Sequence, residues 1–384
     1  MSDSTAFETG SHWLLPAEAL GILFNTLVRL GYTVVGPTVR DGTIDYAPLE
    51  SINDLPRGWT EVQDAASYRM KQREDDAFFG FSNGPGSWKK FLRPEEELLW
   101  QANRSGDTFE IEHEVDTKSG ALAFFGVRAC DLAAIVILDT VLRENTNYVA
   151  RRNSLFTVAI NCSSAGGTCF CVSMKTGPQV AHSFDLALTE VVDGERHVFV
   201  IEVGSERGAD VVASLPVKKT NSSDLLKAEA IIRGTAEQME RTLDTNGLAQ
   251  AIAANLDHPH WDEVAERCLT CGNCTMVCPT CYCTTVEDRT DLEGDHAERW
   301  RIWDSCFSLD FTYAAGGSIR DSGRSRYRQW LSHKLSTWVD QFGTCGCVGC
   351  GRCVTWCPVG IDITEEAKAI SSTDYKEGGY ARDP

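Results

Sequence analysis

One arrangement of cysteines occurs twice near the C-terminal end of this chain, and it limits the possible folds more than any other stretch. The first copy is Cys268-Leu-Thr-Cys271-Gly-Asn-Cys274-Thr-Met-Val-Cys278-Pro279; the second is Cys347-Val-Gly-Cys350-Gly-Arg-Cys353-Val-Thr-Trp-Cys357-Pro358. In each, three cysteines spaced by two residues can wrap a loop around one [4Fe-4S] cube, because small residues between them let the backbone approach the sulfides. The fourth cysteine starts the next helix and points away, toward the cube of the other copy. The spacing therefore assigns Cys268, Cys271, Cys274 and Cys357 to one cluster, and Cys347, Cys350, Cys353 and Cys278 to a second. Structural zinc also uses CxxC pairs. Two full copies of the longer run, each closed by proline, argue against it.

At 384 residues the chain can bury a sizeable core and form two or more domains. Asp plus Glu number 55 against 36 Lys plus Arg, an acidic balance that argues against a nucleic-acid partner. No apolar run approaches the roughly 18 to 20 residues of a membrane span. Met1 to Gly10 is polar and lacks the succession of a secretory signal. Sixteen cysteines in such a chain point to ligands in a reducing cytosol, so a cytoplasmic protein without disulfides is expected.

Along the chain, apolar periodicity predicts a helix from Trp13 to Leu30, stopped by Gly31. A hairpin is expected over Tyr32 to Val39 and Thr43 to Leu49, around Asp41-Gly42. The stretch Gly84-Pro85-Gly86-Ser87-Trp88-Lys89-Lys90 reads as a solvated turn, or as a holder of phosphate or of a partner's carboxylate. The apolar runs Ala121 to Val127 and Leu155 to Ile160, with a helical pattern over Asp131 to Leu142 between them, form the strand–helix–strand unit of a parallel sheet. Cys130 falls just past the first strand and Cys162 just past the second, at the sheet edge where such folds place ligands. Cys169 and Cys171 follow in the same loop. Four thiols converging there predict a third [4Fe-4S] cluster in preference to buried structural cysteines. A second hairpin is expected over Phe184 to Val191 and Arg196 to Val203, then helices over Asp224 to Leu243 and Leu248 to Leu256.

These elements give a mixed α/β N-terminal domain followed by an α-helical, ferredoxin-type dicluster domain. The expected divisions are a polar tail at 1–12, the α/β domain at 13–217, a linker at 218–247, the dicluster domain at 248–370 and a second polar tail at 371–384. Residues 280–346, between the two cysteine runs, are long enough for several helices. They carry a basic segment, Arg320, Arg324, Arg326, Arg328 and Lys334, suited to docking an acidic partner or donating to cluster sulfides. Cys281, Cys283, Cys306 and Cys345 remain. They either compose a fourth cluster or tune the others, and the crowding of Cys281 and Cys283 behind Cys278 favours tuning.

Taken together, Gly126-Val-Arg-Ala-Cys130-Asp131-Leu, Cys169-Phe170-Cys171, the first run continued through Cys281-Tyr282-Cys283, Trp303-Asp-Ser-Cys306 and the second run continued to Asp362 resemble one family. It is the β, electron-transfer, subunit of soluble NAD(P)-coupled [NiFe] hydrogenases, or sulfhydrogenases, with the related A subunit of anaerobic sulfite reductase. The resemblance spans roughly residues 13–365. It departs at Ala129, where the family often has proline, a change that bears on loop geometry alone. The resemblance implies a complex with hydrogenase large and small subunits and a flavoprotein diaphorase subunit. Flavin and NAD(P) would sit on the partner, and this chain would bridge the [NiFe] site and the flavin. Rival readings are the electron-transfer subunit of a sulfite reductase, a flavin-binding reductase subunit and a structural adaptor. The chain has no GxGxxG after a strand and no P-loop, so no nucleotide site of its own is expected. A relay also needs no catalytic acid, base or nucleophile.

Overall fold

The computed structural model describes residues 7–113 and 120–372. Residues 1–6 of the first expected tail, and the second tail from residue 373, lie outside the described residues. The largest sheet has eight strands in the order Lys218–Lys219, His12–Pro16, Arg196–Val203, Leu186–Asp193, Phe156–Ile160, Leu122–Arg128, Thr33–Arg40 and Thr43–Pro48. Its four central neighbours, from Leu186–Asp193 to Thr33–Arg40, run parallel. Strands buried on both faces read as continuous apolar runs, which is why Ala123-Phe124-Phe125 and Phe156 to Ile160 lack alternation. Phe125, Phe156, Val158 and Ile160 pack toward the helices Leu20–Arg29 and Glu206–Ala213. Phe124, Val127 and Ala159 face the opposite way, against Leu132, Ile135 and Leu138 of the helix Ala129–Val141.

Both expected hairpins are present, Thr33–Arg40 with Thr43–Pro48 and Leu186–Asp193 with Arg196–Val203. The N-terminal helix is shorter than expected. His12–Pro16 is a strand against Arg196–Val203, and the helix covers only Leu20–Arg29. Trp13 and Leu15 alternate inward at the strand period, and Pro16, which cannot sit inside a helix, separates the two patterns. Between the parallel strands a second helix, Thr146–Ser154, follows Ala129–Val141. The ladder shifts register between Phe125 and Val127 at Gly126, whose φ is +91°; a Cβ there would meet the Phe79 ring at 2.7 Å. This irregularity re-aims the strand end just before Arg128 and Cys130.

A second, four-stranded sheet joins distant parts of the chain in the order Thr284–Thr290, His296–Trp303, Glu96–Ser105 and Thr108–His113. The segment between the cysteine runs therefore supplies a β-ribbon as well as helices. Its threonines, Val286, Trp300 and Ile302 favour strand. Arg289 lies over Trp300 at 4.9 Å and Arg299 over Trp100 at 5.2 Å. At its base, buried Glu97 pairs with Arg151 at 2.9 Å and Arg301 at 3.0 Å. The remaining C-terminal helices, including His260–Arg267, Gly323–Ser332 and Ile363–Ser371, pack around Trp261, Tyr327, Trp330 and Ile370. Among the described residues no helix is long and apolar enough to cross a membrane.

Candidate metal centre

The first cysteine site forms where the helix His260–Arg267 ends. Cys268 follows that helix, Cys271 and Cys274 come from the next loop and turn, and Cys357 arrives from the second run. These four line one hollow with Phe307, Tyr327, Trp330 and Ile361. Burial, then the neighbouring Cys268, Cys357 and Cys271, pushes the Cys274 thiol well up. The amide of Thr270 points at Cys268 Sγ at 3.4 Å, and that of Ile361 at Cys357 Sγ at 3.3 Å. Cys271 is exposed, beside Leu269, which is 61% exposed.

The second site gathers Cys347, Cys350, Cys353 and Cys278. Burial and then Cys347, Cys350 and Cys278 raise the Cys353 thiol well above its ordinary value. The Gly349 amide reaches Cys347 Sγ at 3.4 Å. Cys278 differs from its companions. The Cys281 thiol hydrogen-bonded to it, helped by Lys334 and Thr280, holds it well below the usual thiol range despite burial.

At the third site the parallel sheet delivers Cys130, in the first turn of Ala129–Val141, beside Cys162, Cys169 and Cys171. Cys171 is raised by burial and then by Cys169, Cys162 and Cys350, while Cys169 is pushed up to about 11, first by burial. Asn83 donates its side-chain amide to Cys130 Sγ at 3.4 Å, and the Ser82 hydroxyl lies 3.4 Å from Cys169 Sγ. Arg128 lies against Cys162 while its guanidinium donates to the carbonyls of Phe79 and Phe81. Ser82 and Asn83 were not visible as site residues in the sequence. Their only signal is their place just before the glycine-rich turn.

The second and third sites interlock through their backbones. The Phe170 amide donates to the Gly349 carbonyl at 2.8 Å, the Thr176 hydroxyl to the Val348 carbonyl at 2.6 Å, and the Thr168 and Thr355 hydroxyls meet at 2.7 Å. Gly349 has φ +65°, and a Cβ on it would lie 2.7 Å from Cys171 Cα. Beneath this contact Arg352 donates to Asp131 Oδ2 at 3.0 Å. Its other nitrogen faces Oδ1 at 2.9 Å, off line, as a charge contact. Asp131 adjoins Cys130 and Arg352 adjoins Cys353, so one buried ion pair spans two cysteine sites.

The four remaining cysteines border the first two sites, two of them in contact with each other. Cys281 sits against Cys278, and Cys345 donates to the Lys334 carbonyl at 3.3 Å beside Cys347. Cys283 meets Cys306, whose hydrogen bond, with Lys334 and Arg93 nearby, draws Cys283 down to about 7 against its burial. Of the basic segment, Arg324 pairs with Asp262, Arg326 donates to the Phe307 carbonyl and Arg328 to that of Leu256. The two lysines of the glycine-rich turn are likewise engaged: Lys89 with the carbonyls of Thr275 and Cys281, Lys90 with Asp45.

Four thiols gathered at one site, most of them raised by burial, cannot all ionise without a positive centre to compensate them. Iron in a cube supplies that compensation, and sulfur-directed amides suit it. Among the described residues no three His, Cys, Asp or Glu side chains are placed to share a single metal ion.

Comparison with known proteins bears on the two C-terminal cysteine runs. A family model for 4Fe-4S dicluster domains matches residues 267–361. The chain is 29% identical over 354 residues to the "Sulfhydrogenase 2 subunit beta" of Pyrococcus furiosus, covering 91% of this chain and 95% of that protein.

Proposed function

We propose, from the premise that this chain is a hydrogenase β-type subunit with a 4Fe-4S dicluster domain, that it is the electron relay of a cytoplasmic assembly. The assembly contains hydrogenase large and small subunits and a flavoprotein diaphorase subunit that reduces NAD(P). In this reading Cys268, Cys271, Cys274 and Cys357 hold the first cluster, and Cys347, Cys350, Cys353 and Cys278 the second. Cys130, Cys162, Cys169 and Cys171 hold a third. Bound clusters supply reversible one-electron exchange.

The observation that carries the proposal is the interlock of loops 168–176 and 347–355. It sets Cys350 beside Cys130, Cys169 and Cys171, so that two donor sets from distant parts of the chain share one wall. The chain's own residues hold the sites close, bury Cys278, Cys350, Cys130, Cys169 and Cys171, and leave the first with an edge at Cys271. Leu269 and Val359 give that edge an apolar rim suited to a partner protein.

The test is anaerobic purification of the tagged full chain with its partners. Nickel, flavin and hydrogen-dependent NAD(P) reduction in one complex are expected, with the reduction lost when this chain is omitted. Isolation with a sulfite-reducing partner overturns the proposal, as does a nicotinamide-dependent flavin activity in the isolated chain.

A further inference from the structure

At the second site the ammonium of Lys334 donates directly to a cysteine sulfur. It lies in a π-helical turn, His333–Thr337, which follows the helix Gly323–Ser332 directly; such widened turns recur at functional positions. The residue is 3% exposed. An ammonium has three N–H donors, and three acceptors meet this one: Cys278 Sγ at 3.0 Å, Thr280 Oγ1 at 3.0 Å and the Gly346 carbonyl at 3.3 Å. The charge is thus fully hydrogen-bonded inside the protein, with one bond spent on a sulfur.

The same sulfur has two further polar neighbours, the Cys281 thiol and the Thr280 hydroxyl at 3.1 Å. The other sulfurs are less richly served. Cys268, Cys347 and Cys357 receive one backbone amide each at 3.3 to 3.4 Å, and Cys130 receives a neutral carboxamide. Arg128 lies near Cys162, but Asp131 and Glu61 face that thiol with opposite charge.

We propose that Lys334 is a redox-positioning residue: its ammonium on Cys278 makes the second cluster more readily reduced than the first, so that electrons collect in the middle of the chain. The physical ground is that reduction adds negative charge to the cluster. A fixed cation donating to a ligand sulfur in a dry site favours the reduced form more than an amide dipole does. The inference rests on the relay reading for the presence of the clusters, and on the Lys334 geometry for their order.

The experiment is a potentiometric titration of the cluster-loaded full chain, followed by paramagnetic resonance. It compares the native chain with Lys334→Gln and Lys334→Arg at equal iron content. A Cys350→Ala preparation identifies the second-site signal by its loss. In Lys334→Gln that signal should move furthest to lower potential, because the ammonium donates to Cys278 and reaches Cys274 of the first site only through space. Its reduced-to-oxidised ratio at fixed potential should fall about tenfold, about 59 mV for one electron. Lys334→Arg should retain most of the native value. Three results overturn the inference: no signal moves, all signals move equally, or Lys334→Gln loses the cluster outright while Lys334→Arg behaves as native, which makes the residue merely structural. A native chain that binds no cluster sinks the relay reading as well, whereas normal titrations with no hydrogen-linked transfer sink the relay reading alone.

Discussion

Replacing Asp131 with asparagine should cost about 3 to 5 kcal/mol, the usual result of removing one partner from a buried ion pair. Both side chains of the Asp131–Arg352 pair are 1% exposed, so water cannot take over the guanidinium. Asparagine keeps one oxygen for the Tyr46 hydroxyl, now 3.3 Å from the carboxylate. It leaves Arg352 with neutral acceptors only, the Gly84 carbonyl and Asn83 Oδ1. Coulomb's law gives about 4 kcal/mol for unit charges 4 Å apart at an effective dielectric constant of 20, consistent with that range. The assay is a double-mutant cycle with Asp131→Asn, Arg352→Met and the combination, by anaerobic denaturant titration followed through tryptophan fluorescence. The combination should be less damaging than the sum of its parts by about 2 kcal/mol or more, because neither charge is then left alone. If the two losses add to within about 0.5 kcal/mol, the pair is not coupled and the reasoning fails.

Other substitutions test the cysteine sets directly. Cys350→Ala should remove about four irons per chain by metal analysis, one cube, and interrupt transfer. Cys345→Ala should leave the iron count intact; if it too loses one cube, a fourth cluster with Cys281, Cys283 and Cys306 replaces the tuning role. Gly349→Ala forces a left-handed backbone on alanine, about 1 to 2 kcal/mol. It also drives a methyl group into the Cys171 backbone, so iron should fall at the second and third sites together. Full iron content with unchanged stability would show that the interlock is dispensable.

The gathering of the third group of thiols was legible because Cys130 and Cys162 stand three and two residues past apolar runs, and parallel pairing brings such positions to one edge. The placing of Cys357 beside the first run and of Cys278 beside the second was legible from spacing alone, since each ends its own run four residues after the third cysteine and is followed by proline. Other features depend on contacts that local patterns do not record. Asn83 and Ser82 meet Cys130 and Cys169 only after the chain has folded across 47 and 87 residues, and Arg352 reaches Asn83 across 269. The β-ribbon at Thr284–Trp303 was missed because its outward side is charged and its partner strand lies near residue 100. Pro16 marked where the N-terminal strand ends, but the helical spacing of Leu15, Leu20 and Leu23 masked it. The basic segment reads as suited to docking or to donating to cluster sulfides; Arg324, Arg326 and Arg328 bind their own chain, and Lys334, carried inward by the π-helical turn, is the one that donates to a cysteine sulfur.

The ribbon has a consequence for how this polypeptide is born. Glu96–Ser105 leaves the ribosome nearly two hundred residues before His296–Trp303, its partner across the ladder. Until then its inner edge is unpaired and needs shielding from other nascent chains. The second group of cysteines comes later still, with the segment around Gly349, and only then can it close on the loop of Cys169 and Cys171.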